Sequence, residues 1–279
     1  MALKYIKPGT GTGTGSLADP YFYSQLANAV TAASGETDRT LVFTNGDYEA
    51  SGTFFALSKN ITYKAQNPKQ ARFVKTGVSS GDGAGYIKPD DTDSSNFLKF
   101  DGMSFRNYYF LITASPSSIT FENCHFDSSV PVVWPVNYGV IGSTGAAITV
   151  LNSTLNPKIA DTTTKWIDAT DVTLTECSIL LDNSAMTTGS VGYVGTLSSS
   201  KWENTIFMSE DSARMDATQD IANLTNNCCF HQFGANNAQG AGTSDGTDNV
   251  FADPQFVDAS TGDLRLRPAS PCIGAATTS

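Results

Sequence analysis

Charge is scarce in this chain of 279 residues: Asp, Glu, Lys and Arg together make up 16% of it. Hydrophobic residues, at 40%, also fall below the usual share for a globular domain. Those two deficits argue against helix bundles. No stretch approaches the roughly 20 apolar residues that span a bilayer. The opening segment, Met1 to Gly9, lacks the apolar run of a signal peptide, so the expectation is a protein made and kept in a cytoplasm, or released from it by lysis.

Reactive residue types are equally thin. Histidine occurs only at 125 and 231, and no G-x-S-x-G accompanies either, so a hydrolase triad has no support. Both histidines read as surface residues, His125 facing outward beside Glu122 or its neighbours on adjacent repeats. The five cysteines are odd in number and include no C-x-x-C pair, which disfavours a disulfide framework or a zinc site. Gly9 to Gly15, with glycine at every second position, lacks the Gly-Lys-Ser/Thr ending of a phosphate loop and reads as a flexible lead-in.

Ser, Thr, Asn and Gly fill the space left. They suit short strands joined by tight turns. A net charge of −10 repels phosphate backbones and anionic lipid, making nucleic acid and membrane poor partners.

Six hydrophobic runs align on a polar pivot. Phe100-Asp101-Gly102-Met103-Ser104-Phe105 matches Phe121-Glu122-Asn123-Cys124-His125-Phe126, and related hexads surround Asn152, Glu176, Asn204 and Asn227. The pivots Gly102, Asn123, Asn152, Glu176, Asn204 and Asn227 lie 21, 29, 24, 28 and 23 residues apart. A minimum near one length with irregular additions is the mark of one coil per repeat with loops of variable size. Gly and Asn take left-handed backbone most readily and bend one strand into the next, whereas Glu176 is costlier there. Alternation then points Ile119, Phe121, Cys124 and Phe126 inward and Thr120, Glu122 and His125 outward. The fold class is all-β, a right-handed single-stranded parallel β-helix with a short N-terminal capping helix. Cys124, Cys177 and Cys228 all follow a pivot and are expected to stack inside the coil as small hydrophobes.

The ends read as caps. Residues 1–35 form an extension and capping helix, 36–250 the coils, and 251–279 a C-terminal cap of the same domain. Asp19 is the expected N-cap and Pro20 the first helical residue, with Tyr21, Leu26, Ala29, Val30 and Ala33 on the apolar side. Such a helix plugs the open end of a coil stack.

The opening Tyr5-Ile6-Lys7-Pro8-Gly9 and Asn45-Gly46-Asp47-Tyr48 resemble the start of many right-handed parallel β-helix surface proteins. The ending is more telling: Asp253-Pro254-Gln255-Phe256-Val257-Asp258, Gly262 to Pro268, and Ser270-Pro271-Cys272-Ile273-Gly274-Ala275. The resemblance covers nearly the whole chain. It is specific for fold and weak for function, since the fold family includes pectate-lyase-like enzymes, adhesins and phage tailspikes.

Candidate sites are few. Asp90, Asp91 and Asp93 share one loop, and Glu210, Asp211 and Asp216 another. β-Helix glycosidases place paired carboxylates on the outer wall, and lyases of this fold combine bound calcium with a basic residue. Neither pattern assembles at a recognisable spacing; the 90–96 loop lacks the Asp-x-Asp-x-Asp-Gly of a calcium hand. These acids read as solvated loop charge, with Asp90, Asp91 and Asp93 as weak calcium candidates and no cofactor expected. Tyr108, Tyr109, Trp134 and Tyr138 lie between repeats, where they stack on sugar rings, pack against another protein or complete the coil.

Functional expectations follow from resemblance and economy. A coil with little else fits a phage capsid decoration (cement) protein, a homotrimer contacting the major capsid protein or other virion proteins, made in the host cytoplasm and carried on the virion. The alternative is a tailspike-like receptor-binding protein, or a depolymerase acting on host-surface polysaccharide. The balance leans away from an enzyme because the pivots create no active site.

Overall fold

Left-handed backbone at one column of residues turns the chain from sheet to sheet. The computed structural model describes residues 3–34, 39–49, 60–79, 85–87, 97–112, 118–130, 140–143, 145–156, 158, 167–169, 171–181, 201–209, 225–231 and 248–275. Within it, Gly102, Asn123, Asn152, Glu176, Asn204 and Asn227 have φ of 73°, 56°, 43°, 56°, 50° and 52°. Five pivot amides donate to the carbonyl just before the next pivot: Gly102 to Glu122, Asn123 to Leu151, Asn152 to Thr175, Glu176 to Glu203 and Asn204 to Asn226. The ladder therefore runs through the corner unbroken. Side chains add a second one, Asn152 Nδ2 donating to Asn123 Oδ1 at 2.7 Å and Asn123 Nδ2 to Asp101 Oδ1 at 3.1 Å. Asp248, at φ 54°, holds the same position before Val250–Phe251, a further pivot hidden in the sequence by the two-residue strand that follows it.

Glu176 is exposed, so its side chain contributes little there to offset the cost of the left-handed region. Glu176→Gly is expected to raise stability by up to about 1 kcal/mol. A denaturant midpoint unchanged or lower than the parent's would refute this.

One coil shows the plan. Phe97–Asp101 lies in the first sheet, Gly102 and Met103 turn the corner, Ser104–Arg106 enters the second, and Tyr108–Ile112 forms the third beyond Asn107. Asn107, buried and at φ 61°, is held by its own amide group, which donates to Lys75 O at 3.0 Å and accepts from Ser129 N at 3.0 Å. Among the described residues the sheets have ten, nine and four strands, and neighbours within each are parallel. The molecule is a parallel β-helix.

Register stacks like side chains on like. Inward in the first sheet come Tyr63, Phe100, Phe121, Val150, Leu174 and Trp202. In the second come Tyr48, Phe73, Phe105, Phe126, Leu155 and Ile179, then Phe207 and Phe230. Phe100 and Phe121 are stacked at 5.3 Å with a 10° tilt, and Phe105 and Phe126 at 5.2 Å. Phe110 of the third sheet meets Phe121 and Phe105 edge-on at 4.7 and 4.9 Å, closing the triangle. All five rings are buried. Offset and edge-to-face pairs add to the area they bury.

The N-terminus differs from expectation in two respects. Lys4–Lys7 and Tyr21–Phe22 are strands that extend the first sheet, so this segment is part of the stack. The helical segment starts after Phe22, with a 3-10 turn at Tyr23–Gln25 and an α-helix at Leu26–Ser34. Asp19 is therefore no N-cap; its carbonyl accepts from Thr14 N and Gly15 N, and its carboxylate also accepts from Thr14 N. The glycine run is closely packed rather than a loose lead-in. Gly11 at φ 149° lies against the Phe22 ring and Gly15 at φ 82° against Tyr21, where a Cβ would fall 2.6 and 2.2 Å from ring carbons.

The C-terminal cap is an antiparallel hairpin of Phe256–Asp258 and Asp263–Leu266. It covers the outer wall of the second sheet, where Phe256 and Leu264 pack with Leu180 and against Ile206 and Met208. Its turn rests near Asn156, whose Nδ2 lies 3.0 Å from the Cβ a side chain at Gly262 would place there.

Candidate functional site

The three cysteines lie in the coil interior, yet they do not touch in series. The row after the pivots reads Met103, Cys124, Ser153, Cys177, Thr205 and Cys228, so hydroxyls separate the thiols. Ser153 Oγ accepts from Cys124 N at 3.0 Å and Thr205 Oγ1 from Cys177 N at 3.5 Å. Each thiol donates to carbonyls, Cys124 to Glu122 and Phe100, and Cys177 to Thr175 and Val150. The expected cysteine stack is thus an alternating Cys/Ser/Thr ladder that satisfies corner amides. The alternation is legible in the sequence once coils are aligned. Burial pushes the Cys124 and Cys177 thiols up to about 12 and Cys228 to about 11, which removes them from thiolate chemistry.

The aromatic candidates separate. Tyr108 is 1% exposed, a correction to its reading as a contact residue. It begins a third-sheet strand whose Tyr108, Phe110 and Ile112 point inward, so it completes the coil. Tyr109 alternates outward and is half-buried, in register with Tyr86. Trp134 and Tyr138 lie outside the described residues, as do Asp90, Asp91, Asp93, Glu210, Asp211 and Asp216. Among the described residues no group of three or more His, Cys, Asp or Glu is placed to hold a metal ion. None of the described helices is long and apolar enough to cross a membrane.

The charged outer walls hold the remaining chemistry. On the first sheet, Lys64 pairs with Asp101 at 3.1 Å and Lys99 with Glu122, each across one coil. On the second, the principal cluster joins Arg106, His125, Asp127 and Thr154. Arg106 and Asp127 face each other in register, and the guanidinium grips the carboxylate through Nη2 at 2.6 Å and Nε at 2.9 Å. His125 Nδ1 bonds Thr154 Oγ1 one coil on, and its Nε2 lies 3.7 Å from Asp127 Oδ2. Glu122, the expected neighbour of His125, belongs to the first wall on the other side of the pivot, with Lys99. His231 is 4.0 Å from Asp253.

Burial opposes the charge of Asp127, but hydrogen bonds and charge from His125 and Arg106 outweigh it and hold the carboxyl below its ordinary value. A carboxylate held ionised is a poor general acid, and the four-residue cluster contains no second carboxylate to share the work. Its geometry braces three coils. The sequence carries the signal for it, because the 21-residue step from Gly102 to Asn123 also sets Arg106 opposite Asp127. No protein-family model matches the chain, and no curated protein matches it.

Proposed function

We propose that this chain is a structural protein on the surface of a phage particle, a capsid decoration protein that stabilises the shell by protein–protein contact. The observation that carries this reading is the bracing of the outer walls. Lys64, Lys99 and Arg106 are each tied to an acid one coil away, outside a continuous hydrophobic core. Such a wall offers a stiff, pre-organised surface that loses little freedom on docking. A rod binding only the assembled shell stabilises it by mass action, and a trimer making lateral wall contacts enlarges the buried interface.

Quantitative mass spectrometry of purified particles tests the reading. The expected result is a copy number commensurate with the major capsid protein, and shells lacking the chain that open at lower temperature. A few copies per particle would place the chain in a tail instead. Release of reducing ends or unsaturated products from host polysaccharide would make it a depolymerase.

A further inference from the structure

Cys229 and Cys272 are the two thiols outside the coil interior. Cys229 follows the pivot pair Asn227-Cys228 and points to the outer wall of the second sheet, in register with Ile206 and Val250. It is nonetheless 3% exposed, while Cys272, on the tail, is partly exposed. Three contacts bring the tail onto it. Cys229 Sγ donates to Ala252 O at 3.4 Å, Ser270 Oγ to Pro254 O at 2.6 Å, and Cys272 N to Ser270 Oγ at 3.2 Å. Each thiol is the neighbour that most strongly shifts the other's protonation, so the two side chains lie together.

We infer that Cys229 and Cys272 form a redox latch, a disulfide that fastens the C-terminal cap to the outer wall of the second sheet when the protein meets a low-molecular-weight disulfide oxidant. The two positions are unequal in the way such exchange needs. Their mutual influence, with burial adding to it, pushes the Cys229 thiol up; the same influence and Ser270 outweigh burial and hold Cys272 below the ordinary thiol value. Cys272, the partly exposed thiol that an oxidant can reach, is the attacking one, and the buried Cys229 is the resolving thiol. With glutathione disulfide, Cys272 S⁻ attacks one sulfur, the oxidant's S–S bond breaks, and one glutathione leaves. Cys229 then gives up its proton and attacks the Cys272 sulfur, expelling the second glutathione. Two protons and two electrons pass from the protein thiols to the departing glutathiones, which end as thiols. The latch is open in a glutathione-reduced cytoplasm and closes outside it.

The latch joins positions 43 residues apart in the chain, so closing it restrains the unfolded state and the opening of the hairpin together. Folded protein treated with glutathione disulfide, alkylated and digested without reductant should yield one linked peptide pair containing Cys229 and Cys272. Cys124, Cys177 and Cys228 should be alkylated only after unfolding. The oxidised protein should melt on the order of 5–10 °C above the reduced form, and protease should release the hairpin more slowly. Cys229→Ser should stop at a glutathione adduct on Cys272, and Cys272→Ser should lose the linked pair altogether. The inference is overturned if wild-type protein stops at the Cys272 adduct, if Cys229 links elsewhere, or if the linked protein melts and is cleaved like the reduced one. The partly exposed Cys272→Ser supplies the control if Cys229→Ser does not fold.

Discussion

Phe121→Ala lowers the free energy of unfolding by about 3–5 kcal/mol, the range for removing a fully buried phenylalanine ring. Phe121 stacks on Phe100, meets Phe110 edge-on and touches Phe126 at 5.2 Å, so all three sheets converge on it. The neighbours that would have to collapse into the space are themselves locked in columns by strand register, which limits relaxation. Denaturation followed by circular dichroism measures the loss. Phe121→Leu should recover much of it by filling most of the volume. An alanine variant within about 1 kcal/mol of the parent would show that the coils do not share one core.

Asp127→Asn is expected to cost about 1.5–3 kcal/mol at neutral pH, as for a hydrogen bond to a charged group. The Arg106 guanidinium is partly solvent-exposed, which favours the lower end of that range. Its sign with pH is fixed. The folded-state value of Asp127 is depressed, so its stabilisation is complete above the unfolded carboxylate value of about 3.9 and disappears as pH falls through the lower folded value. The parent and the Asp127→Asn variant therefore differ most near neutral pH and converge in strong acid. Urea titrations at both extremes check this; an equal gap at each pH would assign the effect to packing.

These expectations rest on features of unequal legibility. The pivots were readable because a left-handed residue is a local demand that Gly and Asn meet locally. Once they are aligned, register follows, and with it the pairing of Arg106 with Asp127 and the ladder of Ser153 and Thr205 among the cysteines. The helix start was misleading for the opposite reason. Asp19-Pro20 is a sound local signal, but parallel pairing of Tyr21 with Ile6 and of Phe22 with Lys7 outweighs it. Tyr108 misled because two tyrosines precede Phe110, and only the position of the Asn107 corner decides which of them faces inward. The closeness of Cys229 to Cys272 depends on the tail folding back across the second sheet, a long-range event with no period to announce it.

The corner between the first and second sheets has a further consequence. It is always two residues long, from Gly102-Met103 to Asn227-Cys228, and carries the hydrogen-bonded column. The step from the second sheet to the third is one residue at Asn107 but spans 128–140 in the next coil and 157–166 after that. Earlier, between Ile61–Ala65 and Ala71–Val74, the same corner takes 66–70, and the return from the third sheet to the first takes 113–117 in one coil and 144–146 in the next, so the constant length belongs to the corners from Gly102 onward. A lineage of such chains can lengthen, exchange or discard segments on either side of the third sheet without moving a strand of the other two, so its diversity should accumulate around that sheet while the two-residue corners from Gly102 onward stay fixed.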